Sequence, residues 1–187
     1  MVLILNFIFA AVFMTAYYFV NTFFHEAGHC VVALFCGSEI TGFSVIHGRM
    51  WYDGGRFDYR SMAWLYINGS LFAVFVGLFL IFVIYKLFRG LYGFTALSVI
   101  AFWTAIECIS WCVQCLFPTE GVDGYYFLQF SLFDRKKVCI VSLVVFLVIT
   151  VALIITVIKH LQRIFDDIDN SGYKQGYDSH DGNQKKS

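Results

Sequence analysis

Charge is scarce in this sequence. Only 14% of its 187 residues are Asp, Glu, Lys or Arg, against 59% hydrophobic and 20% aromatic, and its mean hydropathy is +0.72. In a soluble globular domain about a quarter of the residues are charged, so the composition excludes that class and points to a bilayer. An excess of one sign is lacking too: 13 basic and 13 acidic residues cancel, which leaves no basic field for nucleic acid or another polyanion. Residues 1–21 hold no charged side chain, which excludes the positive n-region of a cleavable signal peptide and predicts a retained first membrane helix. The six cysteines, at 30, 36, 108, 112, 115 and 139, lack the dense loop spacing of a secreted disulfide framework. No internal repeat and no second folded domain are apparent.

What is present is long apolar runs. A spanning helix needs roughly 20 apolar residues, and the runs 2–36, 61–86, 92–116 and 138–160 qualify. The expected fold class is therefore an all-α membrane protein with four transmembrane helices and a small membrane-associated β-hairpin between the first two. The β element, 38–60, is rich in Gly, β-branched and aromatic residues, with turn signals at His47-Gly48 and Asp53-Gly54-Gly55. Gly37 is the expected stop of the first helix, and Pro118 and Gly121 are expected to break the chain after the third. The membrane domain is expected over 1–162, with a polar, disordered tail over 163–187. Threading the spans back and forth puts residues 25–36 and 117–124 towards the same face. The basic residues divide almost evenly between the two faces, so they do not orient the chain.

Within the first apolar run stands "FFHEAGHCVV", where histidine and glutamate are expensive and therefore suggest function. His25, Glu26 and His29 form an HExxH pattern. On an α-helix positions i and i+4 share a face, so both imidazoles can bind one zinc while Glu26 reaches a water beside it. Zinc would acidify that water and polarise a peptide carbonyl, with Glu26 moving the proton from the water to the leaving amine. Tyr18, Thr22, His25, His29, Ala33 and Cys36 recur at three or four residues and predict a smaller, more polar stripe facing other helices. The alternative is a pair of histidines that hydrogen-bond between helices.

A catalytic zinc takes a third protein ligand and keeps one position open. Asp123, in "EGVDGYY", follows the helix break on the correct face, and Gly124 beside it permits close backbone approach. Glu107, in "TAIECISW", lies about as deep along its helix as the histidines along theirs, so it is either an alternative ligand or a carboxylate that holds a ligand or a water. Asp53 reads more simply as a turn residue.

HExxH late in a membrane helix, with an Asp-Gly after a later one, resembles the site-2 protease family of intramembrane zinc metalloproteases. The similarity covers roughly 10–130, where "HEAGHCVVALFCG" is followed by a β region, then "INGSLFAVFVG", then "CLFPTEGVDG". It implies one zinc per chain held by His25, His29 and Asp123, with Glu26 as catalytic acid/base. The chain departs from the family pattern in having Asn68-Gly69-Ser70 without a proline at the start of the central helix, and in having Gln114-Cys115 where an Asn often stands upstream of the Asp-Gly. It resembles a small member without a PDZ-like domain, so substrate gating would fall to a regulatory membrane partner or be absent.

The expected activity is endopeptidase cleavage of a transmembrane protein substrate within the lipid bilayer, the substrate being locally unwound and added to the hairpin edge. Asn68 is either a substrate-positioning residue or an interhelical amide. Two rival readings remain at this level: a non-proteolytic zinc protein that binds membrane helices, and a prenyl-protein-type metalloprotease with Glu107 as third ligand. Cys108, Cys112 and Cys115 share a helical face and read as buried packing. His47 and His160 read as surface residues.

Overall fold

A computed structural model describes the backbone of residues 1–184 and the side chains of residues 1–168. The element order is α1 (Val2–Phe35), β1 (Ser38–Ser44), β2 (Arg49–Gly54), α2 (Tyr59–Leu87), α3 (Leu91–Leu116), α4 (Asp123–Phe130) and α5 (Arg135–Gln184). Four of these helices are long and apolar enough to cross a membrane, over Val2–Phe35, Tyr59–Leu87, Leu91–Leu116 and Arg135–Ile168. The protein is thus a mostly helical, multi-pass integral membrane protein with a hairpin between its first two spans. The fourth span is longer than the expected 138–160. The tail expected over 163–187 lies largely outside the residues whose side chains are described.

Local chemistry sets the boundaries. α1 stops because Gly37 takes φ +80°, a left-handed conformation that other residues adopt at a cost. β1 and β2 pair antiparallel from Ser38↔Gly54 to Ser44↔Arg49, with an irregularity between Ile40 and Gly42. α2 begins with a capping box: Asp58 Oδ1 accepts from Ser61 N at 2.7 Å, and Ser61 Oγ accepts from Asp58 N at 2.8 Å. α3 ends just before Pro118. After the break at Pro118 and Gly121 the chain forms the short helix α4, and Asp134 caps α5 by accepting from the Lys136 and Lys137 amides.

α3 is the central helix, with half of its most apolar window buried against 6% for α1 and α5. It packs on α1, α2 and α5. The apolar core joins Tyr17, Ile81, Leu97, Ile100 and Leu153, one or more from each spanning helix. Glycines let the helices approach: a Cβ on Gly28 would lie 2.8 Å from Phe72 Cβ and collide with the Asn68 carbonyl. His160 is fully buried between Tyr85 and Phe94, which corrects its expected surface position. Its place on the inner side of α5 sets this, and α5 packs directly on α3. His47 is exposed.

Candidate metal centre

The helical spacing of HExxH puts both imidazoles on one side of α1, and the packing of α2 and α3 orients them. His29 Nδ1 lies 2.6 Å from the Leu65 carbonyl oxygen of α2, which can only accept, so His29 carries its proton on Nδ1. His25 Nδ1 lies 2.8 Å from Glu107 Oε1 of α3 and donates to it. With both Nδ1 atoms committed to these acceptors, the two Nε2 atoms turn to a common point, where deprotonated nitrogens would offer their lone pairs to an ion.

Asp123, the first residue of α4, meets them there. Its Oδ2 is 3.0 Å from His25 Nε2 and 3.2 Å from His29 Nε2, and the two Nε2 atoms are 3.2 Å apart. These three residues could hold a metal ion. Burial opposes charge on Asp123, but its hydrogen bonds with the two histidines hold the carboxyl well below the usual carboxylate range. α4 is seated by Gly124, whose amide donates to Gln114 Oε1 at 3.0 Å and whose Cβ, if present, would lie 2.6 Å from Gln114 Cβ. Gln114 therefore positions the aspartate-bearing turn.

Glu107 is buried, and both its oxygens are taken: Oε1 accepts from Ser70 Oγ and His25 Nδ1, each at 2.8 Å, and Oε2 from Asn21 Nδ2 at 3.1 Å. It stands behind His25, on the nitrogen remote from Asp123. Asn68 Nδ2 donates to the Gly28 carbonyl at 2.6 Å, an interhelical amide inside the HExxH turn. Asp53 lies outside the cluster and accepts from the Gly54 amide at 2.8 Å, as a turn residue does.

Two residues at the centre went unread in the sequence. Asn21 is one: the inward stripe of α1 runs through Tyr17 and Asn21, whereas Tyr18, expected on it, is 42% exposed. A one-position shift of a helical stripe is beyond what spacing resolves when nearly every neighbour is apolar, although an asparagine within a span is itself a signal. The other is Gly69. A Cβ there would collide with His29 Nε2 and lie 2.9 Å from His25 Nε2, so only glycine leaves room for both rings.

A cleft of about 430 Å³ opens on the group. Its walls include Glu26, Gly48 and Met50 of the hairpin region, Tyr66 of α2 and Tyr126 of α4. Gly48 turns at φ +53° next to Glu26; its Cβ, if present, would lie 3.8 Å from Glu26 Oε1. Cys108, Cys112 and Cys115 are buried free thiols, and Cys30 Sγ faces Met50 Sδ at 3.7 Å. No protein-family model, no curated protein and no solved structure matches this chain.

Proposed function

We propose that this protein is a zinc-dependent intramembrane endopeptidase of the site-2 type, cleaving locally unwound membrane-protein helices. The observation that carries the reading is the triangle of His25 Nε2, His29 Nε2 and Asp123 Oδ2, with sides of 3.0 to 3.2 Å, beside Glu26 in an open cleft. Ligand atoms around a tetrahedral zinc with bonds of 2.0–2.1 Å stand about 3.3 Å apart. The triangle therefore suits that ion with little adjustment, and two imidazoles with one carboxylate are a donor set that catalytic zinc takes.

Zinc held by these residues would supply a water acidic near neutrality and polarise the scissile carbonyl. Glu26 takes the proton from the attacking water and delivers it to the leaving amine nitrogen. Glu107 keeps the His25 ring oriented and electron-rich through its Nδ1 proton. β2 contributes Arg49, Met50 and Tyr52 to the cleft wall and belongs to a two-stranded sheet, so an extended substrate adds to its outer edge by main-chain hydrogen bonds. The prenyl-protein-type alternative draws no support from Glu107, whose oxygens are engaged away from the triangle.

The test is cleavage of model transmembrane helices by reconstituted protein. The wild type is expected to cleave, and Glu26→Gln to bind zinc equally while losing a factor of about 10²–10⁴ in rate. Undiminished cleavage by Glu26→Gln, or a folded wild type that takes up no zinc, would overturn the reading; full biological activity in Glu26→Gln would favour the helix-binding alternative.

A further inference from the structure

A second cavity, of about 540 Å³, lies where α2 begins, between its first two turns and the end of α4. Its volume falls in the range of small-ligand sites. Arg60, Trp64 and Ile67 of α2 recur along one helical face and form one wall; Phe127, Leu132 and Phe133 form the other. Trp64, Leu132 and Phe133 are 59%, 83% and 69% exposed, an unpartnered apolar surface. One charged group stands at its edge: Arg60 is exposed and, among the described residues, takes part in no ion pair.

The order of these groups resembles that of a lipid at a membrane surface. Arg60 is the second residue of a spanning helix, at the level where the chain enters the bilayer, and Trp64 and Ile67 follow one and two turns deeper. A cation sits at the mouth, and the apolar wall descends from it towards the hydrocarbon. Lys136 and Lys137 begin α5 just after Phe133 and add positive charge to the same end of the molecule.

We infer that this groove is a binding site for an anionic phospholipid. Arg60 takes the headgroup phosphate, and an acyl chain lies along Trp64, Ile67 and Phe127. The charge complementarity decides the occupant: a purely apolar helix of a partner would bury the Arg60 charge unpaired, whereas a lipid phosphate neutralises it, and an anionic headgroup presents that phosphate without the compensating choline cation of a zwitterionic one. The groove is not isolated from the metal centre. Its α4 wall belongs to the helix that starts at Asp123, and Phe130 and Tyr126 of α4 both stack on Tyr66, which lines the metal cleft. The inference does not depend on the endopeptidase reading, only on insertion in a bilayer.

Trp64 provides the probe. The protein, reconstituted in zwitterionic nanodiscs doped with acyl-brominated lipid, is compared with Trp64→Phe to isolate the Trp64 emission. Brominated phosphatidylglycerol is expected to quench Trp64 with an apparent affinity about fivefold that of brominated phosphatidylcholine, the factor that one basic residue adds. Arg60→Gln, with its helical content checked by circular dichroism as a sign of folding, should abolish the difference. Equal quenching by both lipids would identify ordinary boundary lipid and overturn the inference. Absence of quenching by either would also overturn it, since Trp64 would then be covered by protein.

Discussion

Glu107 is a buried carboxylate that orients a candidate metal ligand from the side remote from the other two. Three donors, from Asn21, Ser70 and His25, point at its two oxygens. Glu107→Gln replaces one acceptor with an amide that also donates, so at least one donor loses its partner. Zinc affinity should fall by about 10–100-fold, the usual effect of losing such a partner, while Asp123→Ala should abolish stoichiometric binding; metal titration of the folded variants distinguishes the two. Gly69 makes a sharper case. Gly69→Ala places a methyl group against both imidazoles, and we expect a protein that retains its helical content but binds no zinc, read by circular dichroism and metal analysis on the same sample. A folded Gly69→Ala variant with full zinc would show that α2 can retreat from α1.

At the scale of the element, α2 holds the centre together because it presents Leu65 to His29, Asn68 to Gly28 and Ser70 to Glu107. Its start is defined by Asp58, whose carboxyl is held below its usual range by the Ser61 amide and hydroxyl. Because the folded-state pKa is depressed, the cap stabilises the protein above the unfolded pKa, about 4, and that contribution is lost as pH falls through the lower folded value. Asp58→Ala should therefore lower the melting temperature near neutral pH, with the difference from wild type shrinking in acid. A constant difference across that range would assign the effect to something other than the ionised cap. α4, unlike α2, could not be read beforehand: the eight residues between Val122 and Ser131 carry too little periodicity to separate a helix from a loop.

At the scale of the molecule, the metal group joins the first spanning helix to a short helix 98 residues later. An ion that binds this folded arrangement and not the unfolded chain stabilises it by mass action. Added zinc should raise the melting temperature of the wild type in detergent, chelation should reverse the gain, and Asp123→Ala should respond to neither. A wild type indifferent to zinc would mean that the triangle is an ordinary hydrogen-bonded cluster.

The sequence by itself determined the class of the protein, its four spans, the intervening hairpin and the candidate ligands. Apolar runs of that length have few stable solutions in a bilayer, and HExxH places two imidazoles on one face by helical geometry alone. Tertiary structure alone decided which carboxylate joins them. Asp123 and Glu107 were both admissible by depth and side of the membrane, and the choice came from side-chain direction: Glu107 approaches the Nδ1 side of His25, while the turn before α4 carries Asp123 to the Nε2 side. The buried place of His160 and the inward turn of Asn21 were decided in the same way. In a helix apolar on nearly all sides, the face that turns inward is chosen by packing against neighbours, which no local pattern encodes.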